Sequence, residues 1–144
     1  MIYTLLGEGT RFDTSSVKET ARNSMGVIGI DLTDKDEVVG MSEVDEDDKY
    51  VFIMTEKGCG KVFTLKTFAT QNRRRNVVFH PSLAKNDYIC EAISCKRTDK
   101  FLVVLKGNTI EMEFSDIPKL TRTHPCKKLI PVAKGEKIIR VVKM

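Results

Sequence analysis

The strongest constraint on this chain is that it repeats itself about every 50 residues. Tyr3-Thr4-Leu5-Leu6-Gly7-Glu8-Gly9, Phe52-Ile53-Met54-Thr55-Glu56-Lys57-Gly58 and Phe101-Leu102-Val103-Val104-Leu105-Lys106-Gly107 each open on an aromatic residue and close on glycine. Both landmarks recur at intervals of 49 residues. Beyond the glycine the register between the first two repeats moves by two, so Phe12 falls opposite Phe63. Asp36-Glu37-Val38-Val39 then lies opposite Asp87-Tyr88-Ile89-Cys90 and Glu136-Lys137-Ile138-Ile139. Units this small cannot bury a core alone. Repeats at about 1–48, 49–98 and 99–144 are therefore expected to stack into a single domain.

Each repeat has the same local pattern. An apolar run (Val51–Met54, Phe101–Leu105) meets a glycine and continues in a second run (Lys61–Leu65, Thr109–Phe114). The glycine supplies the positive φ that reverses the chain in a hairpin. A polar, basic connector follows, then a short β-branched run (Val27–Leu32, Val77–Phe79, Leu129–Val132). A turn then leads to a last run (Glu37–Met41, Tyr88–Ile93, Lys137–Val142). Four short strands per repeat predict an all-β, propeller-like array of about three four-stranded blades. Ser15–Ser24 has a capping serine but no apolar face of helical period, so no helix is expected there. Pro81, Pro118, Pro125 and Pro131 fall in connectors or at strand starts, where a missing N–H does little harm.

Little catalytic chemistry is visible. The sequence has no Gly-rich phosphate loop, no H-E-x-x-H and no nucleophile elbow. His80 and His124 both precede proline, which suits turn residues. Tyr3, Tyr50 and Tyr88 fall at strand edges or starts. The four cysteines (Cys59, Cys90, Cys95, Cys126) lack C-x-x-C spacing, so reduced thiols acting as small apolar groups are expected, with no metal and no cofactor. Asp45-Glu46-Asp47-Asp48 is expected to be a solvated acidic turn between blades. No apolar run approaches the roughly 20 residues a bilayer requires, and no basic leader follows Met1. A cytoplasmic protein is the expectation.

The net charge of +4 conceals an asymmetry. Residues 1–49 carry 5 Lys/Arg against 12 Asp/Glu, whereas residues 50–144 carry 19 against 8. Such a basic stretch favours a polyanionic ligand. Its cations gather in the connectors: Arg73, Arg74 and Arg75 together, Lys96 with Arg97, and Lys127 with Lys128, near Lys119 and Arg122. Equivalent connectors of an array share one rim, so recurring cations there form a continuous positive band suited to phosphates. Aromatic residues are only 7% of the chain and lie mostly in strands. Backbone binding of a duplex is therefore favoured over base stacking of single strands.

Phe52-Ile53-Met54-Thr55-Glu56-Lys57-Gly58-Cys59-Gly60-Lys61 resembles the blade hairpin of the C-terminal domain of the DNA gyrase and topoisomerase IV A subunits, with its T-E-x-G-x-G-K turn. Ala21-Arg22-Asn23-Ser24-Met25-Gly26-Val27-Ile28-Gly29-Ile30 is similar to that family's R-x-x-x-G-V-x-x-I connector, and Asp36-Glu37-Val38-Val39 to its D-x-V-V continuation. The resemblance covers essentially the whole chain and is densest between residues 21 and 68. It implies a β-pinwheel whose blades exchange strands and whose basic outer rim binds and bends duplex DNA. By position, Arg22 matches the connector arginine and Lys61 the lysine closing the hairpin turn. Gln71, Arg73 and Arg74 fall where the family carries a Q-R-R-G-G-K-G type box, but this loop has no glycine. That departure leans away from full wrapping and towards topoisomerase IV or a degenerate blade.

Family rings usually have five or six blades, so three repeats imply a fragment or a shortened open array. The resemblance further implies a non-catalytic, nucleoid-associated module that holds double-stranded DNA without sequence preference. Its protein partners would be the ATPase B subunit together with the rest of the A subunit, with no membrane. The rival expectation is a protein-interaction array docking through its acidic first repeat.

Overall fold

Runs rich in β-branched and aromatic side chains become strands, because such residues suit a pleated, packed surface. In the computed structural model, which describes residues 1–80 and 83–144, they are β1 (Ile2–Thr4), β2 (Glu8–Thr10), β3 (Val38–Met41), β4 (Tyr50–Thr55), β5 (Cys59–Thr64), β6 (Val77–Val78), β7 (Ile89–Cys95), β8 (Lys100–Leu105), β9 (Asn108–Glu113), β10 (Lys127–Lys128) and β11 (Ile138–Lys143). Short 3-10 turns follow the hairpins at Thr14–Ser16, Leu65–Thr67 and Phe114–Asp116. Pro81 lies outside the described residues. The all-β, blade-built architecture expected from the repeats is the one observed.

Three antiparallel sheets run in the orders β3-β1-β2-β6, β10-β5-β4-β7 and β11-β8-β9. The outer strand of each four-stranded blade comes from the following repeat. Thus β6 pairs with β2 through Gly9↔Val77, and β10 pairs with β5 through Gly60↔Lys127. The third sheet has no such outer strand among the described residues. Two strand expectations are corrected. Residues 27–32 form no strand, because no hairpin edge lies beside them. The short strand of the third repeat is Lys127–Lys128 rather than Leu129–Val132.

The hairpin registers also correct the sequence alignment. Gly7 and Gly58 are the turn glycines, with φ of 91° and 87°, and each N–H returns to a threonine carbonyl, Thr4 or Thr55. Gly9 instead lies within β2 opposite Tyr3. The hairpins of the first two repeats are therefore offset by 51 from their start, with no shift of register within them. In the third hairpin Leu105 pairs with Asn108, a tighter turn than the Met54–Gly60 closure of the second. Thr4, Thr55 and Leu105 occupy equivalent bulge positions opposite Val38, Ile89 and Ile138. Phe101 is then equivalent to Val51, not to Phe52. A one-residue change exchanges sheet faces. Phe52 and Phe101 accordingly meet across the joint between the second and third blades, with ring centroids 4.7 Å apart.

Two apolar clusters fill the two joints. Tyr3, Val51, Ile53, Phe63, Phe68 and Phe79 hold the first blade to the second. Phe52, Met54, Val62, Phe101, Val103 and Val141 hold the second to the third. Strand β4 is buried at all six positions because it has a blade on each side.

Candidate nucleic-acid interface

The polar connectors leave the sheets after each 3-10 turn and close a tight turn of their own. Ser24 N donates to Ala21 O, Arg75 N to Asn72 O and His124 N to Thr121 O, the same bond in three repeats. Arg22, Arg73 and Arg122 therefore occupy one equivalent place, which the 51 and 49 offsets of the later part of the repeats bring together.

This arginine clamps neighbouring repeats. Arg73 Nη1 donates to Ile28 O at 2.8 Å and its Nε to Ser16 O at 3.0 Å. Arg122 donates to the carbonyl of Val78, the counterpart of Ile28 one repeat on. A guanidinium is suited to this work, since its fork of donors meets carbonyls from two directions. Arg22 is exposed and has no such partner among the described residues. Arg74 pairs with Asp31 at 3.0 Å, an exposed contact of small energetic weight.

Lys61 does not share the surface expected for it. Its side chain is fully buried, and its ammonium donates to the carbonyls of Thr121, Arg122 and His124. Burial, with nearby Arg122 adding to it, holds its pKa down to about 8. Lys61 thus pins the third connector onto β5 and is unavailable to a phosphate. The acidic turn is solvated as expected at Asp45, Glu46 and Asp47 and is corrected at one position. Asp48 is buried and accepts from Ser94 Oγ at 2.6 Å, with Lys143 Nζ 3.6 Å away.

The other expected cations divide in two. Arg97 donates to Tyr50 Oη at 2.9 Å, Lys119 lies 5.1 Å over the Tyr50 ring, and Lys128 donates to Lys57 O. Arg75, Lys96 and Lys127 are exposed, and no hydrogen bond or ion pair engages their side chains among the described residues. At each of the two joints, the 3-10 turn of one repeat and the connector of the next form a shallow groove. One, of about 420 Å³, is lined by Asp13, Ser16, Thr70, Gln71, Asn72 and Arg75. The other, of about 450 Å³, includes Thr64, Thr67, Lys119, Thr121, Arg122 and His124. Asp13 corresponds to Thr64 and Ser16 to Thr67 at the 51 offset. The hydroxyls are held alike: Ser16 Oγ donates to Asp13 O and Thr67 Oγ1 to Thr64 O, both at 2.7 Å. These hydroxyl positions were missed in the sequence, although the same offset could have paired them. The exposed cations are groups that phosphate oxygens accept from, whereas the two hydroxyls have given their protons to carbonyls and only shape the groove.

Other clusters have a structural reading. His80 Nε2 lies 2.9 Å from Cys126 Sγ, and burial holds the imidazole pKa below its ordinary value. Among the described residues no group of three or more His, Cys, Asp or Glu is arranged to hold a metal ion. No described helix is long and apolar enough to cross a membrane.

Comparison with known proteins bears on this arrangement. A family model described as the DNA gyrase C-terminal domain, a β-propeller, matches residues 10–45 and 49–89. The DNA gyrase A subunit of Chlamydia muridarum is 25% identical over 149 aligned residues, which take in 100% of this chain and 18% of that protein. Its counterpart from Helicobacter pylori strain J99 is 28% identical over 98% of this chain and 17% of its own length. The chain thus spans under a fifth of the curated relatives it matches. Among solved structures, the C-terminal domain of DNA topoisomerase IV superposes with a TM-score of 0.88 at 23% identity, over 99% of this chain and 45% of that one. A DNA gyrase A C-terminal domain gives 0.83 at 19% identity, over 99% and 49%.

Proposed function

The chain belongs to the DNA gyrase C-terminal domain family of β-propellers, and from that premise we propose that it is a duplex-DNA-binding and bending module. In this reading it is non-catalytic, and its outer rim presents a DNA segment to the catalytic core of a type IIA topoisomerase A subunit. The reacting groups belong to other parts of that enzyme. Its protein partners are the ATPase B subunit together with the rest of the A subunit, in the nucleoid.

The observation that carries this reading is the repetition of the connector groove at successive joints, with Arg75 lining the first and Lys119 and Arg122 lining the second. Contacts repeated at blade spacing follow a curved backbone, whereas one deep pocket would select a small ligand. The roles differ from those the motif suggested. Arg73, Arg74, Arg122 and Lys61 shape the rim, while Arg75, Lys96 and Lys127 face the phosphates. The second groove has no carboxylate in its lining, whereas Asp13 weakens the first.

Charge reversal tests the assignment. A triple variant, Arg75→Glu, Lys96→Glu and Lys127→Glu, should weaken binding to all random duplexes alike, by about tenfold or more. Phosphate contacts position without specifying, so no sequence should be spared. Undiminished binding in a gel-shift titration, with the fold intact by circular dichroism, would remove these residues from the interface.

A further inference from the structure

Two of the four cysteines stand together at the seam where the third repeat lends a strand to the second. The register of β5 against β10 pairs Cys59 with Lys128 and Gly60 with Lys127, which sets Cys126 opposite Lys61 one step further on. Side chains two apart on a strand share a face, so Cys59, Lys61, Cys126 and Lys128 lie on one side of the seam. Cys59 and Cys126 are the diagonal pair within that set. Both are half-buried, so a small solute reaches them.

The two thiols act on one another and meet a buried imidazole. Burial first, then the Cys59 thiol through its charge and hydrogen bonding, pushes the Cys126 thiol up to about 12. His80 Nε2 lies 2.9 Å from Cys126 Sγ. Burial holds the His80 pKa below its ordinary value, so near neutrality the ring can accept the Cys126 proton. His80 Nδ1 has no partner among the described residues, and so no neighbour described fixes the proton on one nitrogen. Two charged groups face the pair: the Lys61 ammonium lowers the Cys126 pKa and the Asp87 carboxylate raises it. Cys90 and Cys95 lack this setting. Cys90 Sγ donates to Ile138 O, Cys95 is fully buried, and no other thiol contributes to raising either.

We propose that Cys59 and Cys126 are a redox-modified pair, which a hydroperoxide oxidises to a disulfide that staples the second repeat to the third. The Cys59 thiolate attacks the peroxide and becomes a sulfenic acid. The O–O bond breaks, and the leaving hydroxide joins the proton from the Cys59 thiol as water. Cys126 then passes its proton to His80 Nε2 and attacks the Cys59 sulfur. The S–S bond forms and the S–O bond breaks. The departing hydroxide takes the proton back from His80 as a second water. Two thiols and one peroxide thus give one disulfide and two waters.

The geometry permits closure. Diagonal neighbours across an antiparallel pair have Cα atoms about 7–8 Å apart, and a disulfide spans up to about 6.8 Å. Closure therefore draws Cys126 inward by about 1 Å. Cys126 precedes the two residues of β10 and lies outside the ladder, so this shift stays local. A two-residue strand is a slight attachment, and the new bond reinforces it. The link also joins positions 67 apart in the chain, which restricts the unfolded state.

The test exposes the full chain, free of reductant, to a modest excess of hydrogen peroxide and counts the remaining thiols. Two of the four should disappear, and digestion should yield a peptide in which Cys59 is bonded to Cys126. Tm should rise by about 10 °C and fall back on addition of dithiothreitol. Cys59→Ser and Cys126→Ser should each abolish the linked peptide and the rise in Tm, whereas Cys90→Ala should abolish neither. In His80→Gln the sulfenic acid should persist long enough for dimedone to trap it, whereas the natural chain should give little adduct. A chain that keeps all four thiols, a bond between two copies, a link through Cys90 or Cys95, or equal trapping with and without His80 would overturn the proposal.

Discussion

The second and third blades carry the same repeat and end in different environments. Strand β4 is buried throughout, whereas β8 alternates between buried and half-exposed positions. The turn of the second hairpin is anchored by Asp87 Oδ1, which accepts from Lys57 N and Tyr88 N, and by Thr55 Oγ1, which accepts from Cys59 N. The third repeat puts exposed Glu136 and buried Leu105 in the corresponding places. Gly58 is roofed by the next repeat and Gly107 by nothing described. The contrast teaches that a blade here is completed by its neighbours, because its own hairpin supplies neither its outer strand nor the cover for its faces.

That comparison can be broken most forcefully in the core. Phe52→Ala should cost about 3–5 kcal/mol, since Phe52 is fully buried in the joint. Leu102, its structural counterpart in the third blade, has one blade beside it, and Leu102→Ala should cost about 1 kcal/mol. Urea denaturation of both variants measures the difference, and equal losses would mean that the blades are completed alike. Next in size is Lys61→Met. It deprives three connector carbonyls of their donor and should cost about 2–3 kcal/mol. Because Lys61 is buried, its loss should leave the salt dependence of DNA binding unchanged in the folded protein.

A smaller effect is titratable. Burial pushes the thiols of Cys90, Cys95 and Cys126 up to about 12, with Glu91, Asp99 and Cys59 as the next causes in turn. The native state keeps these protons where the unfolded chain releases them near the ordinary thiol value of 9.0. Their contribution to stability is therefore complete below about pH 9 and lost as the pH climbs towards 12. Lys61 acts in the opposite sense: its penalty, present below about pH 8, is relieved as the pH rises towards 10.5. Three thiols against one amine give a net alkaline loss. Melting curves at rising pH should show Tm falling by about a few degrees between neutrality and pH 10. The double variant Cys90→Ala, Cys95→Ala should flatten that fall, although its neutral-pH stability is lower.

Much of this was legible because repetition amplifies weak signals. The hairpins and the basic connectors follow from the spacing, whereas the common place of Arg22, Arg73 and Arg122 came from the turn bonds they share. What the spacing hid was which side of a strand faces which blade. One residue fewer in the third turn moved Phe101 to the opposite face, and the alignment of aromatic residues ran through that change without a sign. The turn role of Gly7 was masked by Gly9, since only backbone conformation distinguishes them. Lys61 and Asp48 looked like surface charges because their partners, three carbonyls near residue 122 and the Ser94 hydroxyl, lie about 46 to 63 positions away along the chain. Residues 27–32 read as a strand from composition alone, but a strand exists only beside a partner edge. Arg73 and Arg74 read as ligand contacts, and the carbonyl and carboxylate through which they also join neighbouring repeats needed the structure.

The central claim is that exposed connector cations hold the phosphates of a duplex. The most direct test is the affinity for a random-sequence duplex measured across a range of salt concentrations. Roughly six neutralised phosphates predict that log affinity falls with log salt at a slope of about −5. A slope near zero, or no binding at micromolar protein and moderate salt, would contradict the account and turn attention to a protein partner for the acidic first repeat.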